Sequence, residues 1–325
     1  MERASRSTLA CPQCTAVLER SADERLDCRG CNLTYPVRHG VPVLLISEAT
    51  CRPIETDAEF DYLLDEALAA PFHGWDLSWL DARTTRSPEL TNLEQRYDSR
   101  AAALIAQAEA VLDLGTGGGE RFASYAPFPG AAFATEAYLP NVTAARLKLA
   151  PLGVEVVHTD PNCHNGRGPQ PGNRWPERRL PFGNNTFELV LAHRAAFSPA
   201  EAARVLRPGG SLLTLQGVPE WRGETLADAL GGTPPEWTLP GLGWDVGETF
   251  RQSGLQIVDW SETSSTVLYH DIGAIVYLLL HVRWNVLDFD VDHYRERLYR
   301  LHQRMQSEGG FRLRGASRLI EAYRP

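Results

Sequence analysis

The chain has 325 residues, enough for one large or two modest domains, and 43% of them are hydrophobic, so a substantial core can form. No apolar run approaches the ~20 residues of a membrane span, the N-terminus lacks the apolar segment of a secretory signal, and six unevenly placed cysteines are too few for a disulfide scaffold. A soluble cytoplasmic protein is expected, and a net charge of −9, from 32 basic and 41 acidic residues, argues against a nucleic-acid partner unless a local basic patch supplies the contacts.

Taken from the N-terminus, Cys11-Pro12-Gln13-Cys14 and Cys28-Arg29-Gly30-Cys31 form two C-x-x-C knuckles. Two such knuckles can place four thiolates at the corners of a tetrahedron, the arrangement of a closed structural zinc site with no position open for catalysis. Cys11, Cys14, Cys28 and Cys31 are therefore the expected ligands of a structural Zn2+. The string Tyr35-Pro36-Val37-Arg38-His39-Gly40-Val41-Pro42-Val43-Leu44-Leu45 follows. It resembles the small zinc-ribbon proteins that act as stabilising activators of tRNA, rRNA and release-factor methyltransferases, over roughly residues 9–48. Fifty residues have little core of their own, so the metal would supply part of the folding free energy. The apolar tail of the ribbon needs a surface to cover, and docking on the rest of the chain is expected; a ribbon that grips a macromolecular substrate is the alternative.

Residues 55–70 carry Phe60, Leu63, Leu64 and Leu68 at helical spacing. Residues 71–80 are dense in aromatics, and residues 97–109 are alanine-rich and helical. Then Ala110 to Leu114 is an apolar run that breaks into Gly115-Thr116-Gly117-Gly118-Gly119-Glu120, a strand, a glycine turn and the start of a helix. Such a turn lets a ligand approach the backbone, and the helix beyond offers free N–H groups. The pattern is D-x-G-x-G-x-G, with Asp113 at the strand end, and no G-x-G-x-x-G of a dinucleotide fold is present.

That string resembles motif I of class I S-adenosylmethionine (SAM) methyltransferases. Further segments fit in order. Residues 131–135 read as a second strand ending at Glu136, an acid able to accept both hydroxyl protons of a ribose. Residues 154–158 read as a third strand, ending near Asp160, where the family commonly places a residue by the adenine. Leu180-Pro181-Phe182 through Phe187-Glu188-Leu189-Val190 is similar to the family's "LPF-x-x-x-S/T-F-D-L-V" string, with Glu188 where Asp is usual. Val205-Leu206-Arg207-Pro208-Gly209-Gly210 is similar to its "VLRPGG" turn. The resemblance implies that Asp113, Gly115, Thr116, Gly117, Glu136, Asp160 and His193 hold SAM. It also implies that the segment before motif I folds over the cofactor as a lid. Trp75 and Trp79 could then present aromatic faces to a methyl sulfonium or pack the lid on the core, while His73 and Asp76 are expected to be exposed.

Residues 161–179 are an irregular insertion bearing Arg167, Arg174, Arg178 and Arg179. Cys163 and His164 are adjacent but have no second ligand pair nearby. His193-Arg194 follows the fourth strand at the carboxyl edge, where ligands of open α/β sheets sit. His193 is thus a candidate general base for a substrate hydroxyl or amine, or a residue that holds backbone or cofactor. The string is not the N/D-P-P-Y/F/W motif of exocyclic-amine or glutamine methyltransferases. Residues 217–244, with Trp221, Trp237 and Trp244, read as a substrate wall, 246–254 as a helix, 255–260 as strand six, 267–305 as helical and 317–323 as the last, antiparallel strand. Arg295, Arg297, Arg300 and Arg304 decorate the C-terminal helix, as a solvated basic face or a nucleic-acid contact.

The expected fold is α/β: a Rossmann-like seven-stranded doubly wound sheet with a small N-terminal zinc ribbon and helical lid segments. The expected division is residues 1–50 zinc ribbon, 51–100 lid and linker, and 101–325 methyltransferase domain with a helical insertion at about 264–312. The first functional expectation is methyl transfer to O, N or C of a small molecule such as a secondary metabolite, by a monomer or homodimer without a membrane partner. The second is an RNA base methyltransferase, since a zinc ribbon before a similar domain also resembles the bacterial large-subunit rRNA guanine-N1 enzymes in architecture. The third is a SAM-binding scaffold without turnover.

Overall fold

The computed structural model describes residues 9–21, 25–28, 30, 33–51, 56–159, 179–218, 223–234 and 246–325. At the N-terminus, β1 (Leu18–Arg20), β2 (Leu26–Cys28), β3 (Leu33–Tyr35) and β6 (Thr50–Cys51) form an antiparallel sheet in the order β1-β2-β3-β6. Between β3 and β6 runs a small hairpin of β4 (Val37–Arg38) and β5 (Val41–Pro42). Leu18, Leu26, Leu33 and Tyr35 turn inward beside Cys11 and Cys28 to make a core too small to stand on apolar burial alone.

Helix α1 (Ala58–Ala69) starts where the Asp57 side chain accepts from the Phe60 N–H at 2.8 Å, and buries Phe60, Leu64 and Ala67 at helical spacing. A crossing strap of residues 71–77, a 3-10 turn (Ser78–Arg83) and the three-residue strand β7 (Thr84–Arg86) lead to α2 (Pro88–Ile105), with Pro88 in its first turn. There follow β8 (Ala110–Asp113), the short α3 (Glu120–Ala123), β9 (Ala131–Glu136), α4 (Leu139–Leu149), β10 (Val154–His158), β11 (Phe187–His193), α5 (Pro199–Val205) and β12 (Leu206–Val218). The remaining elements are α6 (Leu226–Leu230), α7 (Val246–Gln252), β13 (Gln256–Tyr269), α8 (Ile272–His281), α9 (Val291–Glu308) and β14 (Phe311–Tyr323).

The main sheet has the order β10-β9-β8-β11-β12-β14-β13-β7. Its first five strands are parallel, and β14 enters antiparallel between β12 and β13. The seven expected strands are present, and an eighth, β7, is added on the β13 edge through Val267↔Arg86, Leu268↔Thr85 and Tyr269↔Thr84. That register corrects the helical reading of residues 267–305. Residues 267–269 complete β13, and the helices are two, α8 and α9, separated by residues 282–290. The Asp271 and Asp290 side chains cap them, each accepting an N–H at 2.9 Å.

Chain order runs outward from β8 to β10 and returns at β11, so the switch point falls between β8 and β11, above their carboxyl ends. The β13–β14 ladder continues from Ala316 to Phe311 past the point where β12 ends at Val218. This extension carries α8 and α9, and through β7 the end of the strap, over the same carboxyl edge. Apolar residues cover both faces of the parallel strands, and a separate core joins α1, α6, α8 and α9. Among the described residues, no helix is long and apolar enough to cross a membrane.

Candidate functional site

The Sγ atoms of Cys11, Cys14 and Cys28 lie within 4.8 Å of one another. Corners of a tetrahedron around zinc with ~2.3 Å bonds are ~3.8 Å apart, so these three thiols fit the metal. Cys31, the fourth expected ligand, lies outside the described residues. The Gly30 N–H points at the Cys28 sulfur at 3.3 Å, and the Tyr35 hydroxyl is 3.1 Å from the Cys11 sulfur, contacts that orient thiolate ligands. The second knuckle of the ribbon meets α9, while Val41, Leu45 and Ile46 of the apolar tail stay exposed, so the covering surface expected for that tail is not found among the described residues. Arg297, only 8% exposed, donates to the Gly30 carbonyl, and also to the Leu230 and Gly231 carbonyls at 3.2 and 2.9 Å.

At the switch point, the glycine turn hangs from β9. The Thr116 N–H donates to the Thr135 carbonyl at 2.9 Å, and the Gly117 N–H to Glu136 Oε2 at 2.7 Å. The other Glu136 oxygen accepts from the Ala137 and Tyr138 N–H groups, both at 2.8 Å. A carboxylate offers about four lone-pair directions, so after these three bonds one remains for a ligand hydroxyl. Asp113, at the end of β8, is pushed up to about 7 by burial, with the Glu136 charge adding and the Thr116 hydroxyl and Arg121 opposing. Gly115 abuts the turn after β11, since a Cβ there would come within 2.7 Å of the Ala195 Cβ. A glycine turn open to close backbone approach, one acid for a ribose and a buried Asp113 suit SAM. Asp160 lies outside the described residues.

His193, at the end of β11, has its Nε2 2.7 Å from Glu94 Oε2, and its ring 5.0 Å from Tyr97. Burial lowers the imidazole from its ordinary value, against the pull of Glu94. Burial alone would raise Glu94, but the His193 bond and the Arg194 charge outweigh it and hold the carboxyl well below the usual range. An ionised carboxylate only accepts, so Nε2 carries the proton and Nδ1 keeps its lone pair. Arg194 grips the other Glu94 oxygen through Nε and Nη2 at 3.1 and 2.7 Å. Arg121 joins Glu94 at 3.1 Å to Asp98 at 2.5 Å. Glu94 and Arg121 were missed in the sequence because their spacing is that of a solvated helix face.

Of the two tryptophans expected in a lid, Trp75 lies on the turn against Gly117, while Trp79 packs away from it, on Tyr277 at 4.7 Å and under Arg83 at 4.2 Å. His73 and Asp76 are exposed. The four arginines of α9 are engaged within the chain: Arg295 with Asp61, Arg297 as above, Arg300 with Glu296 and Arg304 with Glu224. Cys163, His164, Arg167, Arg174, Arg178, Trp221, Trp237 and Trp244 lie outside the described residues, and the exposed Arg179 precedes the buried Leu180, whose N–H donates to Glu201 at 2.7 Å.

Comparison with known proteins gives matches to separate parts of the chain. No family model matches. A Brucella anthropi protein-L-isoaspartate O-methyltransferase is 32% identical over 113 residues, 35% of this chain and 46% of the relative. A solved Bacillus halodurans methyltransferase structure covers 71% of this chain and 98% of its own, with 18% identity and a TM-score of 0.47. A UPF0434 protein of Pseudomonas syringae pv. tomato is 50% identical over 54 residues, 16% of this chain and 85% of the relative. Through that N-terminal segment the chain belongs to the UPF0434 protein family.

Proposed function

We propose that the chain is a SAM-dependent methyltransferase whose acceptor is a small molecule. The observation that carries this reading is Glu136, an acid at the end of β9 bonded at 2.7 Å to the Gly117 N–H of the neighbouring glycine turn. It supports a hydroxyl acceptor beside a glycine turn whose backbone a ligand can approach closely, in the crevice above the switch point. SAM supplies an activated methyl group on a sulfonium. Glu136 would accept one ribose hydroxyl through its remaining lone pair, and the turn from Gly115 to Gly117 would lie against the polar end of the cofactor. The chain's own contribution is then alignment of the acceptor and exclusion of water. His193, neutral and with Nδ1 open to accept, would take the proton that an O–H or N–H acceptor releases. The name of the Brucella relative adds O-methyl transfer to this reading.

The alternative, an RNA acceptor, draws no support from α9, whose arginines are committed to partners within the chain. Incubation of the zinc-loaded chain with methyl-labelled SAM and either fractionated metabolites or total RNA separates the two. Label in a metabolite fraction is expected. Label confined to RNA would overturn the acceptor class, and label in neither would favour a binding protein without turnover.

A further inference from the structure

Residues 71–77 cross the glycine turn with backbone against backbone. Gly74 has φ +66°, and a Cβ there would stand 2.7 Å from the Gly118 Cα. Gly117 has φ +64°, and a Cβ there would stand 2.4 Å from Trp75 Cδ1. Glycine at both positions therefore lets the indole lie directly on the backbone of the turn that borders the cofactor crevice, where it can close over an empty or an occupied site. Two buried polar groups fix the strap there. From α4, Asn141 is 1% exposed, and in the amide orientation that satisfies both neighbours, since indole Nε1 can only donate, it donates to the Gly74 carbonyl at 3.2 Å and accepts from Trp75 Nε1 at 3.0 Å. From α8, the Tyr277 hydroxyl is 3.0 Å from the Pro71 carbonyl and 3.4 Å from that of Asp76. Phe72 stacks on His281 at 4.0 Å, and Trp75 meets Trp284 at 5.4 Å.

The two anchorages differ in what they hold. Tyr277 and His281 bind the ends and the first half of the strap to the helical insertion. Asn141 is the side chain that hydrogen-bonds the middle to the nucleotide side of the sheet among the described residues, and Trp75 keeps 36% of its surface in solvent. A side chain about a third in solvent, held by one amide and by ring contacts to Phe72 and the exposed Trp284, can leave by bond rotation without unpacking a core.

We propose that Asn141 and Trp75 form a latched gate over the cofactor turn, Asn141 acting as the positioning residue and the Trp75 indole as the leaf that must swing off Gly117 whenever cofactor enters or leaves. The proposal rests on the cofactor site assigned above. Exchange then proceeds through a minor open state whose population the latch sets. Releasing the latch raises entry and exit together and leaves the equilibrium affinity nearly in place, whereas a wall that merely touched the ligand would change exit alone.

The test is surface plasmon resonance with S-adenosylhomocysteine on the full zinc-loaded chain. Asn141→Ala removes both latch bonds, and association and dissociation rate constants should each rise about tenfold or more, with Kd moving less than about threefold. Trp75→Phe keeps a ring on Gly117 and removes only the Nε1 donor; at an exposed position it folds even if Asn141→Ala does not. It should speed both rates about threefold to fivefold. A parent that binds while both rates stay within about twofold in Trp75→Phe, or while only dissociation changes, overturns the gate alone. A parent and variants that all fail to bind overturn the cofactor site and the gate with it.

Discussion

Replacing Arg297 by alanine tests whether the ribbon and the helical insertion hold each other in place. The guanidinium bridges three carbonyls, Gly30 in the second knuckle and Leu230 and Gly231 at the C-terminal end of α6, and its carbon lies 4.7 Å from the centre of the Tyr294 ring. A cation at a helix C-terminus is in a favourable field, and hydrogen bonds from a charged donor contribute about 1.5–3 kcal/mol each. Bonds that share one donor do not add fully, so the loss should be about 3–5 kcal/mol. At roughly 2 °C per kcal/mol for a long chain, the midpoint of thermal unfolding should fall by about 6–10 °C. Zinc should also leave faster, because Gly30 both accepts from Arg297 and donates to the Cys28 sulfur. Differential scanning fluorimetry with a chromogenic zinc chelator reads both. Arg297→Lys should fall between, since an ammonium cannot span the three acceptors as a planar fork does. A midpoint within about 2 °C of the parent, the scale of a surface substitution, with unchanged zinc release would refute this docking argument.

Three further outcomes follow from the site. Cys28→Ser should lose the metal and unfold the ribbon, seen as near-zero zinc by atomic absorption and early proteolysis of the N-terminal segment; full zinc content would remove Cys28 from the ligand set. Asp113 has its folded value raised to about 7, so the native state holds a proton that the unfolded state releases near pH 4. Stability should fall by up to ~1.4 kcal/mol per pH unit as pH rises from about 4 to 7, and Asp113→Asn should abolish that share of the slope. Glu94 has its folded value depressed, so its contribution is present above the unfolded carboxylate range and is lost as pH falls through the folded one. Glu94→Gln should therefore cost about 3 kcal/mol at pH 7 by leaving Arg194 and Arg121 short of a counter-charge, and much less at pH 3; equal loss at both would contradict the ionised pairing.

The centre of the parallel half was legible because β8, β9 and β11 are mostly buried runs that end in residues with a chemical reason to be at a carboxyl edge, Asp113, Glu136 and His193. The glycine turn was legible for the same reason, since its spacing is set by backbone approach. The antiparallel edge was not. Residues 261–266 are polar on both faces, and only pairing with β14, extended at its far end by β7, makes them strand, so no hydrophobic period marked them. Thr84-Thr85-Arg86 is too short to show a period at all. The network around His193 was half visible. The histidine stood out by its place after β11, but Glu94 lies 99 positions earlier in a helix whose charges look solvated. Asn141 was invisible, because one amide in a helix has no pattern, and its role comes from the strap laid across it. In the C-terminal helix the basic run signalled charge, read as a solvated face or a nucleic-acid contact, and could not show that Asp61, Glu224 and Glu296 meet these arginines from within the chain.

The most direct measurement is calorimetric titration of S-adenosylhomocysteine into the parent chain and into Glu136→Ala. Among the described residues Glu136 is the acid that ties the glycine turn, and it is the proposed acceptor for a ribose hydroxyl. Binding to the parent, weakened about tenfold to a hundredfold in the variant as charged hydrogen bonds are lost, is the predicted result. Equal affinity in the two proteins, or no binding to the parent, would contradict the account at its centre.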